Sequence, residues 1–452
     1  MIRVGKLDIQ NVGPFKKQEF DLSIEKGNPD VHIFIGPNGT GKTTILHAIA
    51  SGFDYFEPDH KEHLSNSFYK RFHFFEYDDE KSAYSLKSHT KTTVLYKDNY
   101  SELNRVTTYG CSSCDKIHQI KNVLSEKKLA EYQRAIISED ISTQSFKFGV
   151  FGYSGYRLIS SAKIQLGNEL KFNPLHLALE FVKKNDENAN ISNWIISRYS
   201  KAAIEETHGN KELAQKYREA LNCLMDSIND LTDGQYSFEI KTNPWKVITK
   251  HYDKEVEFDV LPDGLRSLLS WMGDLLMRLD AIPWENKEIP VNEQDLILLL
   301  DEIEVHLHPT WQYKVLPLTQ KIFPNAQIII TTHSPFIINS IDNAKIYKLK
   351  IDEQGSQLEK VILSETGDSY AYVYENILDT THKFGPATTK DLERFNIIDK
   401  EIMQNKLDNE AEFQEIVKRL KKEGEEVTTI ISSKLFRLKN IKGKDYLNGE
   451  NK

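Results

Sequence analysis

Cysteine is scarce in this chain, with three in 452 residues. Three thiols cannot build a disulfide framework, which agrees with a reducing compartment. Long apolar runs are missing too. Leu296–Leu300 and Ile328–Ile330 are far too short to cross a bilayer, so no membrane association is expected. The opening Met1-Ile2-Arg3-Val4 lacks the apolar stretch of a secretion signal and reads directly into a strand. A cytoplasmic protein is expected. Nor is there an excess of positive charge, since the net charge is −9. Such a chain does not coat nucleic acid with its whole surface, although a local basic patch stays open. No low-complexity tract or internal repeat stands out. What remains is an ordinary soluble composition, 39% hydrophobic and 28% charged. The length suits one large α/β domain plus a smaller one.

The hydrophobic pattern places α/β segments at two separated stretches. Leu7–Val12 alternates as a strand, Gly13-Pro14 breaks it, and Phe20-Asp21-Leu22 suggests a return strand. Val31–Ile35 is a short apolar run suited to a buried parallel strand. It enters a Gly-rich loop and then a helix with Ile45, Leu46 and Ile49 on one face. Residues 55–150 read as β-hairpins with some helix. Pro174–Leu231 reads as helical, with Leu175, Leu179 and Val182 at helical spacing and one amphipathic helix over Lys211–Leu231. Beyond residue 255 the spacing predicts a helix at Leu265–Leu279, a buried strand at Leu296–Leu300, and a helix at Trp311–Phe323. Strands at Gln327–Thr332 and Lys345–Lys350 follow. That succession implies right-handed parallel crossovers. After Gly385-Pro386 come helical segments at Thr389–Asn405, Asn409–Lys422 and Glu425–Leu438.

Three motifs carry chemistry. Gly36-Pro37-Asn38-Gly39-Thr40-Gly41-Lys42-Thr43 satisfies G-x-x-x-x-G-K-[ST] in full, and Thr44 follows. Its glycines let the backbone turn so that several N–H groups point inward at a phosphate. The helix that follows adds its positive end. Lys42 is expected to reach the β- and γ-phosphates of ATP, and the Thr43 hydroxyl to ligate Mg²⁺. The second motif is Leu296–Leu300 ending in Asp301-Glu302. Two carboxylates at the end of an apolar strand are costly unless opposite charge meets them, and a Mg²⁺–phosphate cluster supplies it. Asp301 is expected in the metal shell, and Glu302 beside the attacking water. The third is His333, delivered by the next strand to the same sheet edge, where it can bond the γ-phosphate and report its loss.

Together, Leu7–Phe15, GPNGTGKT, ILLLDEIEVHLHP and TTHSP resemble ABC-type ATPases of the SMC/RecF-like branch. The resemblance implies an α/β P-loop NTPase with an SMC-head-like mixed sheet, a helical insertion and a C-terminal helical region. On that frame residues 1–173 form an N-terminal lobe with the P-loop, and 174–235 a helical insertion. Residues 236–385 form a C-terminal lobe holding the signature loop, the acids and the histidine. Residues 386–452 form a helical region suited to docking a partner. The signature loop falls at Leu261–Ser267, where Pro262 stands at the position usually held by serine. Proline offers neither hydroxyl nor N–H, so Gly264 and the following helix start would make the contact to a partner subunit's nucleotide. Gln144 is a candidate Q-loop residue. The family implies a head-to-tail homodimer, or a higher oligomer, with ATP sandwiched at the interface. Within the branch the chain resembles PtuA-type ATPases of Septu anti-phage defence systems, which act with an HNH-type, PtuB-like nuclease. A repair or maintenance ATPase acting directly on DNA is the alternative. A self-contained nuclease with a D-x-D pair is disfavoured, because no such pair follows His333.

Weaker signals stay two-sided. Cys111 and Cys114 with His118 look like half a zinc site, needing Cys223 or a second subunit to complete it, or are simply reduced thiols. His306 and His308 read as a structured turn at a subunit interface rather than a metal site. Lys434, Arg437, Lys439, Lys442 and Lys444 form a basic run for nucleic-acid phosphate or a solvated tail. Lys16, Lys17, Lys70 and Arg71 form a second candidate patch, and Asn190-Ile191-Ser192 is a glycosylation match without meaning in a cytoplasmic chain.

Overall fold

A computed structural model describes residues 2–54, 75–78, 83–86, 89–97, 103–111, 116–121, 126–155, 172–179, 181, 191–243, 245–252, 254–256, 261–379, 384–404 and 410–443. Cys114, Lys70, Arg71, Val182, Asn190 and Lys444 lie outside them. The chain divides into two compact units, residues 1–373 and 374–452.

In the first unit, β1 (Arg3–Val12) and β2 (Phe15–Asp21) form a hairpin through Gly13-Pro14. β3 (Val31–Ile35) is buried along its whole length. A short hairpin, β4 (Phe75–Asp78) and β5 (Ala83–Leu86), comes next. β6 (His89–Lys97), β7 (Leu103–Cys111) and β8 (Lys116–Lys121) then extend an antiparallel sheet in the order β2-β1-β6-β7-β8. Cys111 ends β7 opposite Lys116, and His118 pairs with Tyr109. β9 is Phe148–Tyr153. A three-stranded sheet of β10 (Tyr236–Thr242), β11 (Trp245–His251) and β12 (Lys254–Val256) follows the insertion.

The central sheet is completed by β13 (Asp295–Leu300), β14 (Ala326–Thr331), β15 (Lys345–Asp352) and β16 (Gly355–Leu363). Its order is β16-β15-β3-β14-β13-β9. All neighbours run parallel except β16, which pairs antiparallel with β15, so the sheet is mixed. β3, β13 and β14 read as unbroken apolar runs because both faces are covered. The helix Lys42–Ala50 packs against β14 and β9 of this sheet and β1 and β6 of the other. Ile45, Leu46 and Ile49 on it are fully buried, each contributing on the order of 1.5–3 kcal/mol. Gln327, a polar residue in a central strand, is explained by the second sheet. Its side chain accepts from Val4 N at 2.7 Å and donates to Val4 O at 2.9 Å, joining the two layers.

The expected helix near residue 265 spans Asp263–Leu268, passes through a wider turn at Leu269–Gly273, and continues over Asp274–Ala281. Arg278 on it pairs with Asp274 at 2.8 Å and donates to the carbonyls of Pro174 and His176. That contact corrects the reading of Pro174–Leu231 as helical throughout. Residues 174–179 form irregular turns, with Leu177 at φ 54°. Their carbonyls are taken by Arg278 and by Gly152 N, which bonds Ala178 O at 2.8 Å, instead of by amides four residues on. The insertion's helices are Ile191–Thr207 and Lys211–Thr232. Trp194 donates to Asp280 at 2.8 Å, and Arg198 pairs with the same carboxylate.

The second unit contains helices Pro386–Met403, Glu410–Leu420 and Glu425–Lys442 around a core of Phe395, Ile398, Phe413, Val417, Leu420 and Ile431. Its basic run is largely used inside the bundle. Arg437 pairs with Asp399 at 2.6 Å, Lys442 donates to Met403 O at 2.9 Å, and Lys434 reaches Asn396 beside the Phe395 ring. These side chains therefore do not stand out as free phosphate ligands.

Candidate nucleotide site

Parallel pairing brings the ends of β3, β13 and β14 to one edge, and each motif starts where its strand stops. After β3 the chain turns through Gly36–Gly41 into the helix that begins at Lys42. Gly41 has φ 86°, and a Cβ there would sit 2.6 Å from the Phe15 ring, so both conformation and space require glycine. The loop is braced internally, since Thr40 Oγ1 donates to Pro37 O at 2.9 Å. Pro37, Asn38 and Gly39 form the exposed rim of the turn, while Thr44, in the first turn of the helix, is buried under Gly13. The Lys42 ammonium donates to Gly36 O at 2.9 Å and Pro37 O at 3.1 Å. Burial pushes its pKa down, while the carboxylates of Asp301, Glu302 and Glu304 push it back up.

Thr43 Oγ1 donates to Asp301 Oδ1 at 3.0 Å. Thr331 Oγ1 donates to the same oxygen at 2.6 Å and accepts from Glu302 N at 2.8 Å. One threonine on β14 thus fixes both acids that follow β13. Glu302 has φ 46°, a left-handed conformation that is strained for a residue with a side chain and that reverses the chain directly after Asp301. Its carboxylate lies along Gly155, where an added Cβ would come within 2.9 Å of Glu302 Oε2. His333 is exposed just beyond β14. Burial of part of its ring and then the Lys42 charge hold its pKa below the usual histidine value, while Asp301 pulls the other way. Its backbone N–H donates to Glu304 Oε1 at 2.6 Å.

Lys42, Thr43, Asp301, Glu302 and His333 are therefore brought to one edge. Gly264 is placed differently from the expectation of an outward contact. It is buried by its own chain, and a Cβ there would meet His306 O at 2.7 Å and the Trp311 ring at 3.2 Å. Pro262 and Asp263 are the exposed part of that loop. Gln144 is corrected. It precedes β9, a strand parallel to β13, so it lies at the opposite edge of the sheet from the P-loop. Cys223 is half-buried on the insertion helix and its thiol is pushed up to about 11 by burial, which opposes thiolate metal binding. His308 caps the helix Pro309–Ile322 through Nδ1, which accepts from Thr310 N at 3.4 Å. Among the described residues no group of three or more His, Cys, Asp or Glu side chains is arranged to hold a metal.

Sequence reasoning did not single out Thr331, Glu304 or Gly155. Thr331 was visible as the first threonine of TTHSP and Glu304 as the third acid of DEIE. Gly155 carried no signal, because its role is a close approach made only in the folded chain.

A glycine-rich loop between a buried parallel strand and a helix, facing two strand-end acids, defines a P-loop ATPase. The chain belongs to the AAA ATPase domain family, which matches residues 3–338. It is similar to the Septu protein PtuA of Bacillus thuringiensis, with 22% identity over 84% of this chain and 84% of that protein. It is also similar to the retron Ec83 probable ATPase of Escherichia coli, with 23% identity over 84% of this chain and 77% of that protein. The solved SMC head bound to the C-winged helix domain of ScpA aligns over 80% of this chain and 98% of that one, at 12% identity and a TM-score of 0.49. No helix among the described residues is long and apolar enough to cross a membrane.

Proposed function

We propose that this ATPase is the regulatory subunit of an anti-phage defence complex, hydrolysing ATP in a head-to-tail dimer and so gating an HNH-type nuclease partner. The convergence of Lys42, Thr43, Asp301, Glu302 and His333 on one edge carries the catalytic part of this reading. Similarity to Septu PtuA and to retron ATPases supports the defence context.

Lys42, whose ammonium lies at the Gly36 and Pro37 carbonyls, contacts the β- and γ-phosphates. The loop amides hold the phosphate oxygens. Thr43 Oγ1 and Asp301 Oδ1, already 3.0 Å apart, form the hard-oxygen donor set that suits Mg²⁺. A Mg²⁺ held by these two residues would supply charge neutralisation to the triphosphate. Glu302 orients the attacking water and accepts its proton. His333 bonds the γ-phosphate and loses that bond on hydrolysis.

The test is twofold. Glu302→Gln with ATP should run as a dimer on a sizing column, and unchanged size would count against the sandwich. A pull-down from native extract should bring down a nuclease whose activity changes with ATP. DNA-stimulated hydrolysis by the chain alone, with no nuclease recovered, would favour direct action on DNA.

A further inference from the structure

We propose that Glu304 is a positioning residue that holds His333 at the reacting edge. This rests on the reading of His333 as the γ-phosphate contact. β14 ends at Thr331, and Thr332 N still bonds Phe34 O at 3.2 Å. His333 is the first residue past the ladder. Its N–H has no strand partner there, and it is taken by Glu304 Oε1 at 2.6 Å.

The turn after Asp301 makes this reach possible. Glu302 at φ 46° reverses the chain, and Leu307 N closes on Glu304 O at 2.9 Å. The two glutamates then diverge: Glu302 lies along Gly155 and Glu304 crosses to the end of β14. A second tie lies just beyond. Ser334 Oγ donates to Gln312 Oε1 at 2.6 Å, and Gln312 Nε2 donates to Leu307 O at 2.8 Å. His333 is thus held on both sides to the loop that carries the acids, at an exposed position of the sheet edge.

Glu304 is an unusual choice for a merely structural brace. Its Oε2 is buried without a hydrogen-bond partner, and burial raises the carboxyl's pKa against the opposing pull of the His333 and Glu304 amides and the Thr332 hydroxyl. A buried carboxylate with one unused oxygen is costly, and a neutral side chain would brace the loop with less desolvation. The arrangement makes sense where a short, directional bond must fix the histidine's backbone relative to Glu302.

The experiment compares the full chain with Glu304→Leu, Glu304→Gln, His333→Ala and the Glu304→Leu/His333→Ala pair. Hydrolysis is measured at steady state, and ATP affinity separately by equilibrium binding. Leucine fills the volume without an acceptor, and glutamine restores one. Glu304→Leu should lower kcat about 10- to 100-fold, the scale set by small displacements of a catalytic group, with ATP affinity within about threefold. Glu304→Gln should recover part of the rate, and the pair should be no worse than His333→Ala. Amide exchange at His333 should quicken in Glu304→Leu while the interior of β14 stays protected. If His333→Ala hydrolyses normally, the γ-phosphate reading falls and this inference with it. If His333→Ala is impaired but Glu304→Leu keeps its rate, or the pair loses additively, only the inference falls. Should Glu304→Leu fail to fold, Glu304→Gln decides: a His333 amide exchanging as fast as in an open loop, with kcat unchanged, overturns the proposal.

Discussion

Thr43 Oγ1 donates a 3.0 Å hydrogen bond to Asp301 Oδ1, joining two residues 258 positions apart. It ties the first turn of the P-loop helix to the end of β13. Asp301→Ala should therefore cost Mg²⁺-dependent hydrolysis at least the ~10–100-fold lost with even an outer-sphere partner of a metal site. ATP affinity titrated with and without Mg²⁺ checks this. An Asp301→Ala protein whose Mg²⁺ requirement matches the native one would count against the assignment.

Thr331 makes its own prediction. Its hydroxyl bonds Asp301 Oδ1 and the Glu302 amide. Thr331→Val keeps the shape, strands the Glu302 amide and removes one of the hydrogen bonds to Asp301 Oδ1, at a cost of about 1–3 kcal/mol. The loss should appear in denaturant unfolding together with reduced hydrolysis. Thr331→Ser should restore both.

Lys42 donates to the Gly36 and Pro37 carbonyls at the foot of the loop. Lys42→Ala should abolish the thermal shift produced by ATP. For the native protein, ATP at a hundred times its Kd should stabilise by about 2.7 kcal/mol. Melting curves with and without ATP measure the difference, and an equal shift in both proteins would contradict the role of Lys42.

His333 gives a pH prediction with a definite sign. Its pKa is held below the ordinary 6.5 by burial and by Lys42. The imidazole is neutral above that value in the folded chain and charges only as pH falls further. The unfolded chain takes up its proton first on acidification, so the contribution of this group to stability is present above about pH 6.5 and is lost as pH falls through the folded value. In the profile of kcat/KM, which reports the free enzyme, the acid limb belonging to His333 should lie below about pH 6.5. It should vanish in His333→Gln. A limb above neutrality that depends on His333 would be inconsistent with the site.

The P-loop, the two acids and the histidine were legible because each is a local pattern at the end of a buried apolar strand. β3, β13 and β14 announce themselves by hydrophobic runs that only a sheet covered on both sides can use. The turns at 174–179 were not legible. Leu175 and Leu179 have helical spacing, and only Arg278 and the edge of β9 decide that the backbone bonds elsewhere. Gln144 was misplaced for a related reason. A strand's direction decides which sheet edge its flanking loop reaches, and that direction is set by its partner, β13. The basic run after residue 433 looked free because Asp399 and Asn396, its partners, sit a whole helix earlier.

By itself the sequence determined the P-loop, its glycines, and which short strands are buried. Those features follow from backbone sterics and hydrophobic spacing within ten residues or so. Only the tertiary structure decided that Thr331 clamps two acids, that Glu304 holds His333, and that Gly264 faces inward. Each depends on pairing between strands far apart in the chain, and local residue preferences carry no record of which distant group a side chain will meet.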